Sequence, residues 1–152
     1  MLLRHSTEGD LPVFFRNQFD PEAARMAAFP SRGQEAFDEH WRTRILGQSG
    51  VCARTVVVDG VVAGHVVSWE RDGMRLVGYW LGAPHWGRGI ATAALREFVA
   101  AHDTTRPLHA YVAVSNVASA RVLAKCGFRP AGEPTVAADG VEEVLVVLES
   151  GP

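Results

Sequence analysis

The sequence predicts an α/β fold of the mixed α+β kind. It reads as one domain, residues 1–152, on a central mixed, mostly antiparallel sheet of about seven strands with helices on both faces. Three observations predict it. Apolar runs at residues 51–58, 61–69 and 74–81 are joined by Asp59-Gly60 and Asp72-Gly73, dipeptides suited to tight hairpins. A helical stretch after residue 81 leads to another apolar run at 108–114, so one β-α-β crossover is set into the antiparallel frame. A chain of 152 residues, 47% hydrophobic and 21% charged, is long enough for one domain with a real core.

Each element has a local reason. Leu2–His5 is a short first strand, and residues 10–18 form a helix with Pro12 tolerated in its first turn. Asp20-Pro21-Glu22 starts a second helix: Asp20 caps, Pro21 takes the first position and Glu22 favours the positive end. That helix carries Ala24, Met26 and Ala27 and stops at Phe29-Pro30. A third helix over 34–46 places Phe37, Trp41 and Ile45 on one face toward the sheet and ends at Gly47 and Gly50. After the three hairpin strands come a helix over 91–101, the strand at 108–114 and a helix over 116–125 capped by Asn116. Strands at 129–136 and 142–148, joined around Asp139-Gly140, complete the order β-α-α-α-β-β-β-α-β-α-β-β. Strands 74–81 and 108–114, the fourth and fifth, should run parallel and splay into a V. Gly78 and Gly82 near the strand end allow a bulge or close backbone approach there.

Composition excludes several classes. A formal charge of −2 gives no reason to expect nucleic acid. The start Met-Leu-Leu-Arg-His-Ser lacks the apolar core of a signal peptide, and no stretch reaches membrane-spanning length. A cytoplasmic protein without a membrane partner is expected, as a monomer or homodimer. Cys52 and Cys126 form no CxxC and read as reduced, mostly buried thiols. The six histidines do not fall at zinc-ligand spacing, so no metal is expected.

The most informative segment is residues 78–92, Gly-Tyr-Trp-Leu-Gly-Ala-Pro-His-Trp-Gly-Arg-Gly-Ile-Ala-Thr. An apolar strand breaks at a proline turn, passes through Gly87-Arg88-Gly89 and enters a helix. Glycines just before a helix start leave backbone N–H groups pointing outward, which with the helix dipole suits a pyrophosphate. A nucleoside-triphosphate loop would need Gly-Lys-Ser/Thr, but Lys125 is the chain's only lysine. The dinucleotide fingerprint fails at Thr92 and in its mid-chain position, and Asp103 comes too early to serve as its acidic partner.

Trp86-Gly87-Arg88-Gly89-Ile90-Ala91 resembles the acyl-CoA signature of the GNAT superfamily of N-acetyltransferases, with Trp86 where Gln or Arg is usual. Asn116-x-x-Ser119 followed by Lys125-Cys126-Gly127-Phe128 resembles the family's second motif. The likeness is strongest over residues 61–128. The Tyr-Trp-Leu-Gly lead-in looks most like the branch with ribosomal-protein N-terminal acetyltransferases and their small-molecule relatives.

The resemblance implies acetyl-CoA as cofactor and direct attack by a primary amine, on a small molecule or on a protein N-terminus or lysine, in a ternary complex. The N–H groups of Gly87, Arg88, Gly89, Ile90, Ala91 and Thr92 would cradle the diphosphate, with the Arg88 charge and Thr92 hydroxyl as additions. Backbone groups of Tyr79, Trp80 and Leu81 would pair with the amide-bearing arm, and the Leu81 N–H would polarise the thioester carbonyl. Asn116 would contact the arm from the other wall, with Ser119 beside it. The family's usual tyrosine acid falls at Leu123, leaving Ser119 or water to serve the leaving thiolate. Strand 74–81 carries no acid, so Glu70, Asp20 and His65 are the candidate bases. The acceptor side would draw on Gln18, Asp20, Arg25, Met26, Phe29, Glu133 and Asp139, a mixture that names no substrate. The vacant acid and base positions also fit an alternative: an acyl-CoA-binding sensor or interaction module without catalysis.

Overall fold

Two Asp-Gly turns organise the first half of the sheet. In the computed structural model, which describes residues 1–22, 25 and 33–150, Asp59 and Gly60 both take positive φ (52° and 77°), as do Asp72 and Gly73 (53° and 78°). Two successive left-handed residues make the turn whose twist matches antiparallel strands. They join β2 (Cys52–Val58), β3 (Val61–Arg71) and β4 (Met74–Leu81). The first strand, β1 (Leu2–His5), pairs antiparallel with β2.

The second half is built around a crossover. After β4 a short 3-10 turn (Ala83–His85) leads through the glycines to α3 (Ile90–Glu97), preceded in the chain by α1 (Leu11–Phe19) and α2 (Gln34–His40). Then come β5 (Leu108–Ala113), α4 (Val117–Lys125), β6 (Arg129–Pro130), β7 (Thr135–Val136) and β8 (Glu142–Leu148). The sheet has eight strands in the order β1-β2-β3-β4-β5-β8-β6, with β7 also on β8. Among the described residues only β4 and β5 are parallel, and their sole registered pair is Leu76 with His109. Past that pair the strands separate, which is the expected V.

The sheet divides two cores. On one face Val66, Val77, Leu81, Leu108, Ala110 and Val112 pack against Ile90, Leu95, Phe98 and Leu123 of the helical layer. On the other, Val67 meets Leu11, Phe14, Phe37 and Trp41. Val66 and Val67 fall into different cores because successive strand residues face opposite ways. Both α2 and α3 end in a wide turn closed by an i→i−5 bond, Leu46 N–H to Trp41 O and Asp103 N–H to Phe98 O. The helix expected over 91–101 therefore starts one residue earlier and changes winding at Phe98. Asp20 leaves α1 extended and its Oδ1 accepts the Glu22 N–H at 3.0 Å, as a cap does; Pro21, Glu22 and Arg25 are helical. The remaining features expected of that helix, Ala24, Met26, Ala27 and the stop at Phe29-Pro30, lie outside the described residues.

Two expectations need correction. The strand over 129–136 is two short pieces, β6 and β7, on one edge of β8. Pro130 and Pro134 have no N–H and Gly132 intervenes, so a continuous ladder cannot form. Of the two glycines where a close approach was expected, Gly82 has one and Gly78 does not, while Gly64, not singled out, has the tightest. A Cβ on Gly64 would lie 2.1 Å from the Trp80 carbonyl oxygen, and one on Gly82 would lie 2.6 Å from Asn17 Oδ1, whereas at Gly78 it would only touch the Trp69 ring.

Two buried aspartates fasten the frame. Asp10 accepts from Arg4, the Thr7 N–H and Thr55, tying β1 and β2 to α1. Asp103 accepts from Ser68 (2.5 Å) and Arg75 (2.8 Å), tying the end of α3 to β3 and the start of β4. Asp103 is thus engaged within the frame. Burial alone would raise each carboxyl. Hydrogen bonds from Arg4, Thr7 and Thr55 nevertheless hold Asp10 at about 2, and those from Ser68, Thr105 and Arg75 hold Asp103 there too.

Groups with depressed folded values stabilise fully above the unfolded carboxyl range and lose that contribution as pH falls toward 2, each by roughly 2 kcal/mol. The urea midpoint should therefore drop between about pH 5 and pH 2. Asp103→Asn should lower stability at neutral pH and shrink that drop; an unchanged acid profile would contradict the assignment. Gly64→Ala should destabilise by more than about 2 kcal/mol because the obstructing atom is backbone, read as a fall in urea midpoint.

Candidate functional site

The V opens into a cleft of about 440 Å³. Tyr79, Trp80 and Leu81 of β4 form one wall, and Asn116, Ser119 and Val122 of α4 form part of the other. Its mouth is the loop of Gly87 and Gly89 with Ile90, Ala91 and Thr92 at the start of α3. Gly87 and Gly89 both have positive φ (73° and 74°), and a Cβ on either would meet open space. Their backbone conformation, not crowding, requires glycine. Among the described residues, none of the N–H groups from Gly87 to Thr92 has a protein acceptor; the first cross-boundary bond of α3 is Ala93 N–H to Gly89 O. A row of unengaged N–H groups at a helix start is what an anion requires.

One edge of β4 is likewise exposed to the cleft. The Gly82 N–H bonds to Ala63 O on β3 at 2.8 Å. Strand alternation then turns the N–H and C=O of Leu81 and Tyr79 the other way, toward the gap left by β5. The Leu81 carbonyl is not free there: the Trp86 indole N–H donates to it at 2.9 Å. Expected pairing of an arm with Leu81 is therefore limited to its N–H. Trp86, at the motif position where Gln or Arg is usual, closes the turn back onto β4. Asn17 at the end of α1 holds the opposite face of this strand end, donating to Ala63 O and accepting from the Trp80 indole.

Among the described residues, one side-chain hydrogen bond joins the two walls. Tyr79 Oη and Ser119 Oγ lie 2.7 Å apart. Burial pushes the Tyr79 phenol up to about 12, against a smaller lowering by the Ser119 bond. Asn116 caps α4, its Oδ1 accepting the Ser119 N–H at 3.2 Å, and its amide nitrogen remains for the cleft. Leu123 is buried in the core.

Of the residues singled out from sequence as cofactor-binding, all but Arg88 line the cleft; Arg88 is exposed on the loop. The cleft also draws in His85, Ala118, Arg121, Val122 and Lys125. Sequence held a signal for three of these: Val122 is three residues past Ser119, and Arg121 and Lys125 are four apart on the same helix, so they share its cleft-facing side. None of the candidate bases lines the cleft. Glu70 is exposed near the end of β3, Asp20 sits past α1, and His65 is wedged between the Phe14 and Trp41 rings in the second core. Burial pulls His65 down to about 3, so it stays neutral. On the acceptor side Gln18 is buried, Glu133 and Asp139 are exposed, and Met26 and Phe29 lie outside the described residues. Both cysteines are free thiols. Among the described residues there is no cluster of metal-ligating side chains, and no helix is long and apolar enough to cross a membrane.

A family model described as an acetyltransferase (GNAT) domain matches residues 1–129. No match is found among curated proteins. Solved structures agree in fold at low identity. An acetyltransferase (GNAT family) from Bacillus anthracis superposes with a TM-score of 0.80 at 16% identity, covering 97% of this chain and 93% of that one. Spermidine N-acetyltransferase from Vibrio cholerae in complex with CoA and spermine gives 0.78 at 14%, covering 97% and 94%. The aminoglycoside acetyltransferase AAC(6')-Ib with paromomycin and acetyl-CoA gives 0.76 at 20%, covering 95% and 90%.

Trp86→Phe should remove the indole bond to Leu81 and leave that carbonyl without its partner. The expected loss is about 1 kcal/mol, measured as a shift in urea midpoint. A variant as stable as the parent would show that this bond does not hold the turn.

Proposed function

The chain belongs to the GNAT acetyltransferase family, and on that premise we propose that it transfers an acetyl group from acetyl-CoA to a primary amine, both bound in the cleft between β4 and α4. The observation that carries this reading is the row of unengaged N–H groups from Gly87 to Thr92 at the head of that cleft. A diphosphate would accept from them, and the cations of Arg121 and Lys125 line the same space. The amide-bearing arm would run along the unpaired edge of β4, taking the Tyr79 N–H as a neighbouring strand would and leaving the Leu81 N–H for the thioester.

The chemistry then follows from position. The amine nitrogen attacks the thioester carbonyl carbon, and charge grows on the carbonyl oxygen, where the Leu81 N–H donates. The C–S bond breaks with both electrons going to sulfur, and the Ser119 hydroxyl is the group on the α4 wall that can meet them. An alkyl ammonium has a pKa near 10 and must first lose its proton. No carboxylate lines the cleft among the described residues. Water takes that proton, with Asp20 and Glu70 outside the cleft as the acids that could receive it. The acceptor is a small molecule or a peptide amine. Two of the three named neighbours carry spermine or paromomycin, which favours a small polyamine-like or amino-sugar substrate as the first to try. The protein is proposed to work in the cytoplasm.

The missing cleft acid and buried Leu123 favour one second reading, a CoA-binding module without turnover. Thermal shift with acetyl-CoA, followed by thiol release against a panel of polyamines, aminoglycosides and peptides, separates the two. Acetyl-CoA should raise Tm and at least one amine should release CoA. Binding without release on any amine supports the module, and no shift at millimolar acetyl-CoA overturns both. Gly89→Glu should fold, because its side chain enters open space and the left-handed backbone adds only about 1–2 kcal/mol of strain. It should nonetheless weaken acetyl-CoA binding by more than about a hundredfold, roughly 2.7 kcal/mol, by putting a carboxylate among the phosphate-facing amides.

A further inference from the structure

Of the hydroxyl bridge across the cleft, the chemistry so far uses only the Ser119 end and gives Tyr79 no part. Tyr79 comes from β4 and Ser119 from the first turn of α4, and their oxygens meet at 2.7 Å above the point where β4 and β5 part. Both side chains line the cleft. The pair carries two protons. One lies between the oxygens, and the other is free to point elsewhere. A phenol is the more acidic hydroxyl, so the better arrangement has Tyr79 donating to Ser119 and Ser119 directing its own proton into the cleft.

We propose that Tyr79 is a positioning residue that aims the Ser119 hydroxyl at the sulfur of the bound thioester, so that the two hydroxyls together stabilise the departing thiolate. This rests on the acetyl-CoA reading of the cleft. The pair supplies a hydrogen bond and not a proton. Tyr79 titrates at about 12, well above an ordinary thiol near 8.5, so full transfer to the thiolate would run uphill. The C–S electron pair stays on sulfur, held by Ser119 O–H, whose oxygen is in turn held by Tyr79 O–H. The thiolate is released as such or protonated by solvent.

The test needs CoA and no acceptor amine. CoA is titrated with excess protein and its thiolate read by ultraviolet absorbance, with the desulfo-CoA complex as blank. The charged and titratable cleft residues His85, Arg121 and Lys125 are the same in every variant compared. In the parent, the bound thiol should titrate about one unit below free CoA, about a tenfold gain in thiolate at a given pH. Tyr79→Phe and Ser119→Ala should each abolish most of that shift, and the double variant should lose no more than Ser119→Ala alone. A second probe leaves packing intact. The chain has two tyrosines, so in a Tyr111→Phe background fluorotyrosine labels Tyr79 alone, and its stronger phenol should lower the bound thiol further. A thiol value unchanged by Tyr79→Phe, or additive losses in the double variant, overturns the proposal and leaves the bridge as a brace. An unmoved value in the fluorotyrosine protein overturns it equally. Failure of CoA to bind the parent at all instead overturns the acetyl-CoA reading on which it stands.

Discussion

β4 is bonded along one edge from end to end and along the other only near its start. Its register with β3 runs from Met74 to Leu81, while its register with β5 is the single pair at Leu76. A strand inside a sheet does not ordinarily leave half an edge open, because partly buried N–H and C=O groups without partners are costly. The rest of the structure can be understood as ways of living with that open edge. Trp86 answers one carbonyl with its indole. Gly82 and Gly64 let α1 and β3 press close on the other side. What remains open is a peptide-like edge, and an amide-bearing ligand is the natural complement to it.

The V has a fastening at its foot and a bridge above. At the foot, Asp103 collects Ser68 and Arg75, and Arg75 also reaches the Gly50 carbonyl, so the end of α3 is fixed to the strand that opens the gap. Above it, Tyr79 and Ser119 join β4 to α4. A wall position set from both ends keeps the distance between the β4 backbone and the α4 cap narrow in range. Asn116, by capping α4 with its own side chain, fixes where that helix begins and therefore where Ser119 stands. Precision in such a site comes from these supports more than from the lining residues themselves.

Much of this frame is legible in the residue order, for reasons that differ by element. The Asp-Gly turns can be read because two consecutive left-handed residues are tolerated by few other pairs. The strands Leu2–His5, Met74–Leu81 and Glu142–Leu148 have the expected bounds, the second because Gly73 and Gly82 stand at its two ends and the third because Asp139-Gly140 turns the chain just before it. The glycine loop can be read because its need is backbone conformation, a local property. Other features depend on distances that spacing does not carry. Period-two alternation says which face Gly64 and Gly78 occupy but not that the Trp80 carbonyl approaches only the first. Trp86 reads in sequence only as a departure from the usual Gln or Arg, and that its indole turns back to the Leu81 carbonyl is visible only in the structure. Tyr79 and Ser119 are forty residues apart in sequence and belong to different motifs. Their meeting depends on how widely the V opens, which no local pattern states.

The same distinction bears on charge. The whole chain carries −2, which taken alone argues against an anionic ligand. Field at a site is set locally, by oriented amides and by the charges within a Debye length of about 8 Å. Here the cleft combines the N–H row of residues 87–92 and the positive end of α3 with Arg121 and Lys125, and no acid lines it among the described residues. The acids are elsewhere: Asp10 and Asp103 are neutralised by arginines in the frame, and Glu133 and Asp139 sit exposed on the far hairpin. That local gathering of donors and cations is complementary to an anion although the net charge of the chain is not, and a diphosphate seated there would offset Arg121 and Lys125, so the cleft holds an excess of positive charge only until its anionic ligand is bound.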